Sequence, residues 1–197
     1  MTDNGKQAPI AMLPLNEPRR PPVSRREFGE VMSRMASTVS VVAAAHGGER
    51  LGRTATSVFS LSATPPAVLV AVDLAAPLAD IIIKAGGFSV SMLADKQQMI
   101  GDAFAGKLGK VDRFAVGDWG RWPSGNPRLA GAATAIDCEL IGRIETQTHV
   151  LFAGAIVEAD VSNSADPMLW YHREYNVPRP ATAAEDEVDL VSLGLTG

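Results

Sequence analysis

The sequence predicts a mainly β fold that rolls into a barrel, and three observations carry that expectation. Short apolar or alternating segments recur along the chain, each bounded by Gly, Pro or polar turn residues. Helical periodicity is confined to a few brief stretches. Strands and helices do not alternate regularly, and no G-x-G-x-x-G follows a strand, which disfavours a dinucleotide-binding Rossmann fold.

The elements follow in order. Residues 1–23 hold Pro14, Pro18, Pro21 and Pro22 among polar and basic residues, and read as a flexible, arm-like extension. Ser24 and Glu27 have capping-box spacing. Phe28, Val31, Met32 and Met35 then recur at i, i+3, i+4 and i+7, one face of an amphipathic helix. Val39–Ala45 is a short apolar strand, and His46-Gly47-Gly48 supplies the turn after it. One strand is expected from about Arg50 to Ser62, ended by Pro65-Pro66, with a buried strand over Ala67–Val72. Leu78, Ile81, Ile82 and Ala85 share a helix face that Gly86-Gly87 terminates. Phe88, Val90 and Met92 alternate with serines as a half-buried strand. Asp95 is placed to cap a helix carrying Met99, Ile100, Ala103 and Phe104. Residues 106–131 read as loop. Strands return at about Ala132–Ile144 and Val150–Val161, and a last short element covers Pro167–Tyr175. The body is thus 24–177, followed by a Pro-led acidic tail over 178–197.

Composition narrows the function classes. The formal net charge is −4, which argues against nonspecific nucleic-acid binding, since that needs a clustered basic surface. No apolar run approaches the roughly 20 residues that span a bilayer, and no signal-peptide core follows the N-terminus. A single cysteine, Cys138, permits no intrachain disulfide. A cytoplasmic setting follows as the expectation. His46, His149 and His172, with one cysteine, make no metal-site pattern, so no metal is expected. No nucleophile elbow is present.

Five constellations could carry chemistry. Thr54, Thr56, Ser57, Ser60, Ser62 and Thr64 line up hydroxyls suited to phosphate, ribitol or ring oxygens, although a solvated strand face would look the same. Ser89–Leu93 followed by Asp95, Lys96 and Gln98 is a strand-to-helix joint, where free backbone N–H groups suit anions. Arg113 could pair with a phosphate while Phe114 covers an aromatic ring, or the two could be a surface cation beside a core Phe. Thr148-His149 opens an apolar strand. Trp170–Tyr175 is an aromatic run with one arginine, suited to a dinucleotide or to a subunit contact. Cys138, flanked by Asp137 and Glu139, is not a thiolate candidate.

Taken in order, these segments resemble the flavin reductase-like family, the FMN-binding split barrels. The matching pieces are Phe28 with VMSRMASTVSVV, GRTATSVFSLSATPPAVLVAV, FSVSMLADKQ, FAGKLGKVDRF, GNPRLAGAATAIDCEL, THVLFAG and PMLWYHREY, over about residues 25–177. The resemblance implies a six-stranded antiparallel split barrel with short flanking helices, assembled as a homodimer. It implies FMN, or FAD, against Thr54, Ala55, Thr56, Ser57, Ser60, Ser91, Met92, Leu93, Ala94, Gln98, Arg113 and Phe114. It places NADH or NADPH near Ser37, Thr38, His149, Tyr171, Arg173 and Tyr175, with His149 orienting the nicotinamide. The implied activity is hydride transfer from NAD(P)H to flavin, and reduced flavin then serves a separate monooxygenase. Two other readings share the fold: a flavoprotein reducing corrin cobalt or ferric iron, and a non-catalytic flavin-binding module. Gln147 and Thr148 stand where many members have Gly-Asp, which leaves NADH against NADPH open. Ser91 stands where many have Asn.

Overall fold

The computed structural model describes residues 9–180. The expected tail therefore lies almost wholly outside the described residues. Among the described residues the fold is mainly β with three α-helices. Strands β1 (Ile10–Met12), β2 (Ser37–Thr38), β3 (Ser40–His46), β4 (Glu49–Ala55), β5 (Val58–Ala63), β6 (Pro66–Asp73) and β7 (Gly87–Met92) come first. They are followed by β8 (Trp119–Arg121), β9 (Pro127–Leu129), β10 (Thr134–Glu145), β11 (His149–Val161), β12 (Leu169–Tyr171) and β13 (Glu174–Asn176). The helices are α1 (Arg25–Ser33), α2 (Pro77–Ala85) and α3 (Gln98–Phe104).

The main sheet runs β4-β3-β7-β10-β11-β6-β5, with β1 added beside β10. All its neighbours are antiparallel except β1, which pairs in parallel with Arg143–Glu145. The sheet thus has eight strands, where the resemblance implied six. Part of the expected arm is therefore a strand of the sheet.

One apolar core explains the curvature. Val42, Val70, Phe88, Val90, Cys138, Val150 and Phe152 meet there with Leu78, Ile81 and Ile82 of α2. Ala55 on one edge strand and Val58 on the other pack against that same core, so the sheet curls until its two edges face a common interior. Two irregularities of register in the long β10–β11 hairpin, at Asp137/Cys138 and Leu140/Gly142, permit the bend. A second core lies on the outer face, where Ile100 and Phe104 of α3 pack with Val39, Val41, Leu93, Phe114 and Met168.

Four local expectations change. Strand β7, expected to be half-buried, is buried on both faces, with Ser89 and Ser91 each 1% exposed between β3 and β10. The strand expected over 50–62 breaks at Thr56-Ser57, where the chain passes from one sheet edge to the other. Asp95 caps no helix: α3 begins at Gln98, and the Gln97 side chain accepts from the Ala94 N–H instead. The stretch 106–131 holds a 3-10 turn at Arg113–Ala115 and the hairpin β8–β9. The capping box forms as expected, with Ser24 and Glu27 bonded reciprocally. The apolar face of α1, however, stays open: Phe28 is 57% and Val31 65% exposed.

Cys138 sits in the inner core at 2% exposure. Burial, and then the neighbouring Asp137 charge, push its thiol up to about 12. A thiol-reactive disulfide dye should leave native Cys138 unmodified at pH 8 and react only on addition of denaturant. Rapid labelling of the native chain would contradict this burial.

Candidate active site at the end of strand β4

The site is built where three backbone segments are stitched together. The Leu93 N–H donates to Val39 O at 2.9 Å, Met168 N–H to Leu93 O at 2.7 Å, and Val39 N–H to Met168 O at 2.8 Å. These bonds bring the β2–β3 junction, the end of β7 and the start of β12 together. Beside them, β4 ends in Thr54 and Ala55, with Thr56 just after it.

A cavity of roughly 190 Å³ opens there, lined by Val39, Thr54, Ala55, Thr56, Ala105, Lys107, Trp170 and Tyr175. Thr54 Oγ1 donates to Gly101 O at 2.7 Å, so its hydroxyl is oriented and its lone pairs remain free to accept. Lys107 is the single charged residue of the lining. Its Nζ lies 2.8 Å from Asp102 Oδ1 and over the rings of Trp170 and Tyr175, at 5.2 and 5.0 Å from their centroids. Tyr175 O–H donates to the same Asp102 oxygen at 2.7 Å. Burial works to raise the Asp102 pKa, but the Lys107 and Tyr175 hydrogen bonds and the Lys107 charge outweigh it and hold the carboxyl low. Burial, and then the bond to Asp102, push the Tyr175 phenol well up. The pair is therefore a carboxylate and a neutral phenol at neutral pH.

The aromatic wall is carried by the β12–β13 hairpin. Its two-residue turn, His172-Arg173, has φ of 52° and 64°. That left-handed conformation costs a non-glycine residue about 1–2 kcal/mol. Packing holds it in place: His172 N–H donates to Ser33 O at 2.8 Å, and Arg173 reaches Glu30 at 3.3 Å.

The residues expected to be functional separate into groups. Thr54, Ala55, Thr56 and Tyr175 line the cavity. Ser37 and Thr38 pair with Trp170 and Leu169 beside it. Ser57 donates to Ala71 O at the sheet edge. Ser91, Leu93 and Ala94 are buried and Met92 is half-buried, and none of the four lines the cavity. Ser60, Gln98 and Tyr171 are exposed away from the lining. Phe114 is buried against Phe104 and Trp119, at 5.0 and 5.1 Å between centroids. Arg113 donates to Gly52 O at 3.2 Å and lines a neighbouring cavity together with Phe114. His149 is exposed at the start of β11 opposite Asp73, with Nδ1 2.9 Å from Thr148 Oγ1, and does not line the cavity. Lys107, Asp102, Val39 and Ala105 were not singled out from the sequence. The available signal was Lys107 itself, inside the segment FAGKLGKVDRF.

The lining offers hydroxyls, one fixed cation and two flat aromatic faces, a donor set that fits one edge of a flavin ring. The flavin reductase like domain model matches residues 32–178. The chain belongs to the flavin reductase-like family. It is 34% identical over 164 residues to an FMN reductase (NADH), RutF 2, of Methylorubrum extorquens (strain PA1), covering 83% of this chain and 95% of that one. The reductase component of an FADH(2)-dependent resorcinol hydroxylase of Rhizobium sp. (strain MTP-10005) is 34% identical, over 79% of this chain and 88% of its own. The Streptomyces globisporus NADH:FAD oxidoreductase SgcE6, solved with NAD and FAD fragments, superposes with a TM-score of 0.74 at 28% identity. The match covers 80% of this chain and 94% of that chain.

Proposed function

We infer that the chain is an NADH-dependent flavin reductase whose flavin ring lies at the Thr54–Thr56 end of β4, supplying reduced flavin to a separate monooxygenase in the cytoplasm. The observation that carries the site is the Lys107–Asp102–Tyr175 cluster, which fixes a cation and aromatic walls beside the strand hydroxyls. Bound flavin would supply the hydride acceptor. Trp170 and Tyr175, which line the cavity, would exclude water from bound flavin. Asp102 holds Lys107 where its charge favours an electron-rich ring edge. The Thr54 hydroxyl, tied to Gly101 O, keeps lone pairs free and would accept a hydrogen bond from bound flavin.

His149 is the candidate to orient the nicotinamide. It does not line the cavity, which fits a role toward the second reactant rather than the flavin. The expected result for His149→Ala is a rise of about tenfold in KM for NADH with the KM for flavin unchanged, as loss of one hydrogen bond to a charged ligand implies. Unchanged KM and kcat would remove His149 from the site.

A homodimer belongs to the same proposal. The open apolar face of α1, with Phe28, Val31 and Met32 exposed and Met35 exposed just after the helix, is the surface that supports it. The deciding assay follows NADH absorbance with the purified chain and added FMN, FAD or riboflavin. Rapid flavin-dependent oxidation supports the reading. Bound flavin with no NADH oxidation would overturn it in favour of a flavin-binding module.

A further inference from the structure

Four arginines gather at the start of α1. Arg19 and Arg20 precede Pro21 and Pro22, and Arg25 and Arg26 open the helix. All four are exposed, and none has a carboxylate within salt-bridge distance among the described residues. In a chain with net charge −4 they make a local reversal of sign. Two cations in a first turn also run against the helix macrodipole, which favours acids there. The apolar face of α1 continues from them: Phe28, Val31 and Met32 are exposed, and of the nine residues of α1 only Ser33 is buried. A helix this short is marginal in water without tertiary cover.

Residues 185–195 carry the complementary chemistry. Glu185, Asp186, Glu187 and Asp189 are acidic, and no Lys or Arg occurs over 181–197. Val188, Leu190, Val191, Leu193 and Leu195 interleave with the acids and follow them. Read in the same direction, both segments pass from charge to apolar residues. A parallel alignment therefore sets acid against arginine, and aliphatic side chains against Phe28, Val31 and Met32. Residues 19–31 and 185–195 both lie outside the stretch 32–178 shared with the family, and neither lines the flavin cavity.

Chain connectivity selects the source of the cover. The terminal hairpin turns against α1, where His172 N–H donates to Ser33 O at 2.8 Å and Arg173 reaches Glu30 at 3.3 Å. Glu185 follows Arg173 by about twelve residues, or roughly 40 Å of extended chain, while α1 is only about 14 Å long. The acids therefore have chain enough to reach Arg25 and Arg26. Tethering places them there at an effective concentration on the order of 1 mM, above that of a second copy at micromolar protein. We propose that residues 185–195 of the same chain cover the arginines and the apolar face of α1. A second copy must displace them, so this contact controls access to the face that the proposed homodimer uses. The inference goes beyond the reductase reading and needs no turnover, so a chain that failed to oxidise NADH would leave it standing.

The test is hydrogen exchange at the α1 amides of the full chain, read by mass spectrometry. In a Val188→Ser/Leu190→Ser/Val191→Ser/Leu193→Ser variant, exchange over residues 28–35 should quicken by at least about tenfold, as loss of buried apolar contacts implies. A second variant, Arg25→Glu/Arg26→Glu, changes only exposed side chains. Acids in the first turn favour the helix locally and by themselves would slow exchange. Repulsion of residues 185–189 should instead quicken it, and adding Glu185→Lys/Asp186→Lys/Glu187→Lys should restore protection. Unchanged exchange in the serine variant, slower exchange in the glutamate variant, or no rescue by the lysines would overturn the proposal. Protection that survives the serine variant and grows with protein concentration would overturn it too, with a second copy as the cover.

Discussion

Replacing Phe88 with alanine will cost about 3–5 kcal/mol of stability, because it empties the middle of the inner core. Phe88 has no exposed surface, and its ring abuts Gly154 on β11. A Cβ built on Gly154 would meet Phe88 Cζ at 2.6 Å and the Cys138 Cβ at 2.8 Å. Gly154→Ala should therefore be destabilising alone, by about 1–3 kcal/mol, through overpacking. The two changes should not add. With the ring gone, the new methyl occupies vacated space, and the double variant should be more stable than the sum of the single losses predicts. Thermal melts measure this directly, at about 2–4 °C per kcal/mol for a chain of this size. Strict additivity would mean that the two residues do not share the space the structure gives them.

Replacing Lys107 with methionine should raise the KM for flavin by about tenfold or more while leaving the fold intact. A charge-assisted contact is worth about 1.5–3 kcal/mol, and Lys107 is the sole charged residue lining the cavity. Its side chain is half exposed, so its removal opens no core. Lys107→Arg should restore part of the affinity, since charge survives while geometry changes. Asp102 supplies an independent readout. Its pKa is held low against the opposing effect of burial, so it contributes stability above the ordinary carboxylate pKa of about 4. That stability is lost as pH falls through the lower folded-state value. Without Lys107 the folded value moves back up, and the dependence of stability on pH below about 4 should flatten. An unchanged flavin KM together with an unchanged acid limb would remove Lys107 and Asp102 from the site.

The sequence by itself determined the local elements wherever one periodicity ruled. The capping box at Ser24 and the α2 face ending at Gly86 are decided by neighbours in the chain, through caps and turns. It also marked Thr54–Thr56 and Tyr175, because hydroxyl runs and aromatic clusters are visible as composition. Tertiary structure decided what depends on distant partners. The break at Thr56-Ser57 arises because the rolled sheet must pass from one edge to the other. Ser91 and Leu93, plausible as ligand contacts from their place at a strand end, are buried because β3 and β10 flank Ser91 and the Val39 and Met168 segments bond to Leu93. Phe114 turns inward because Phe104 and Trp119 offer it a packed aromatic site. Lys107 gains its role only when α3 brings Asp102, and the terminal hairpin brings Trp170 and Tyr175, around it. Each of those outcomes is set by contacts between residues far apart in the chain, which no local pattern encodes.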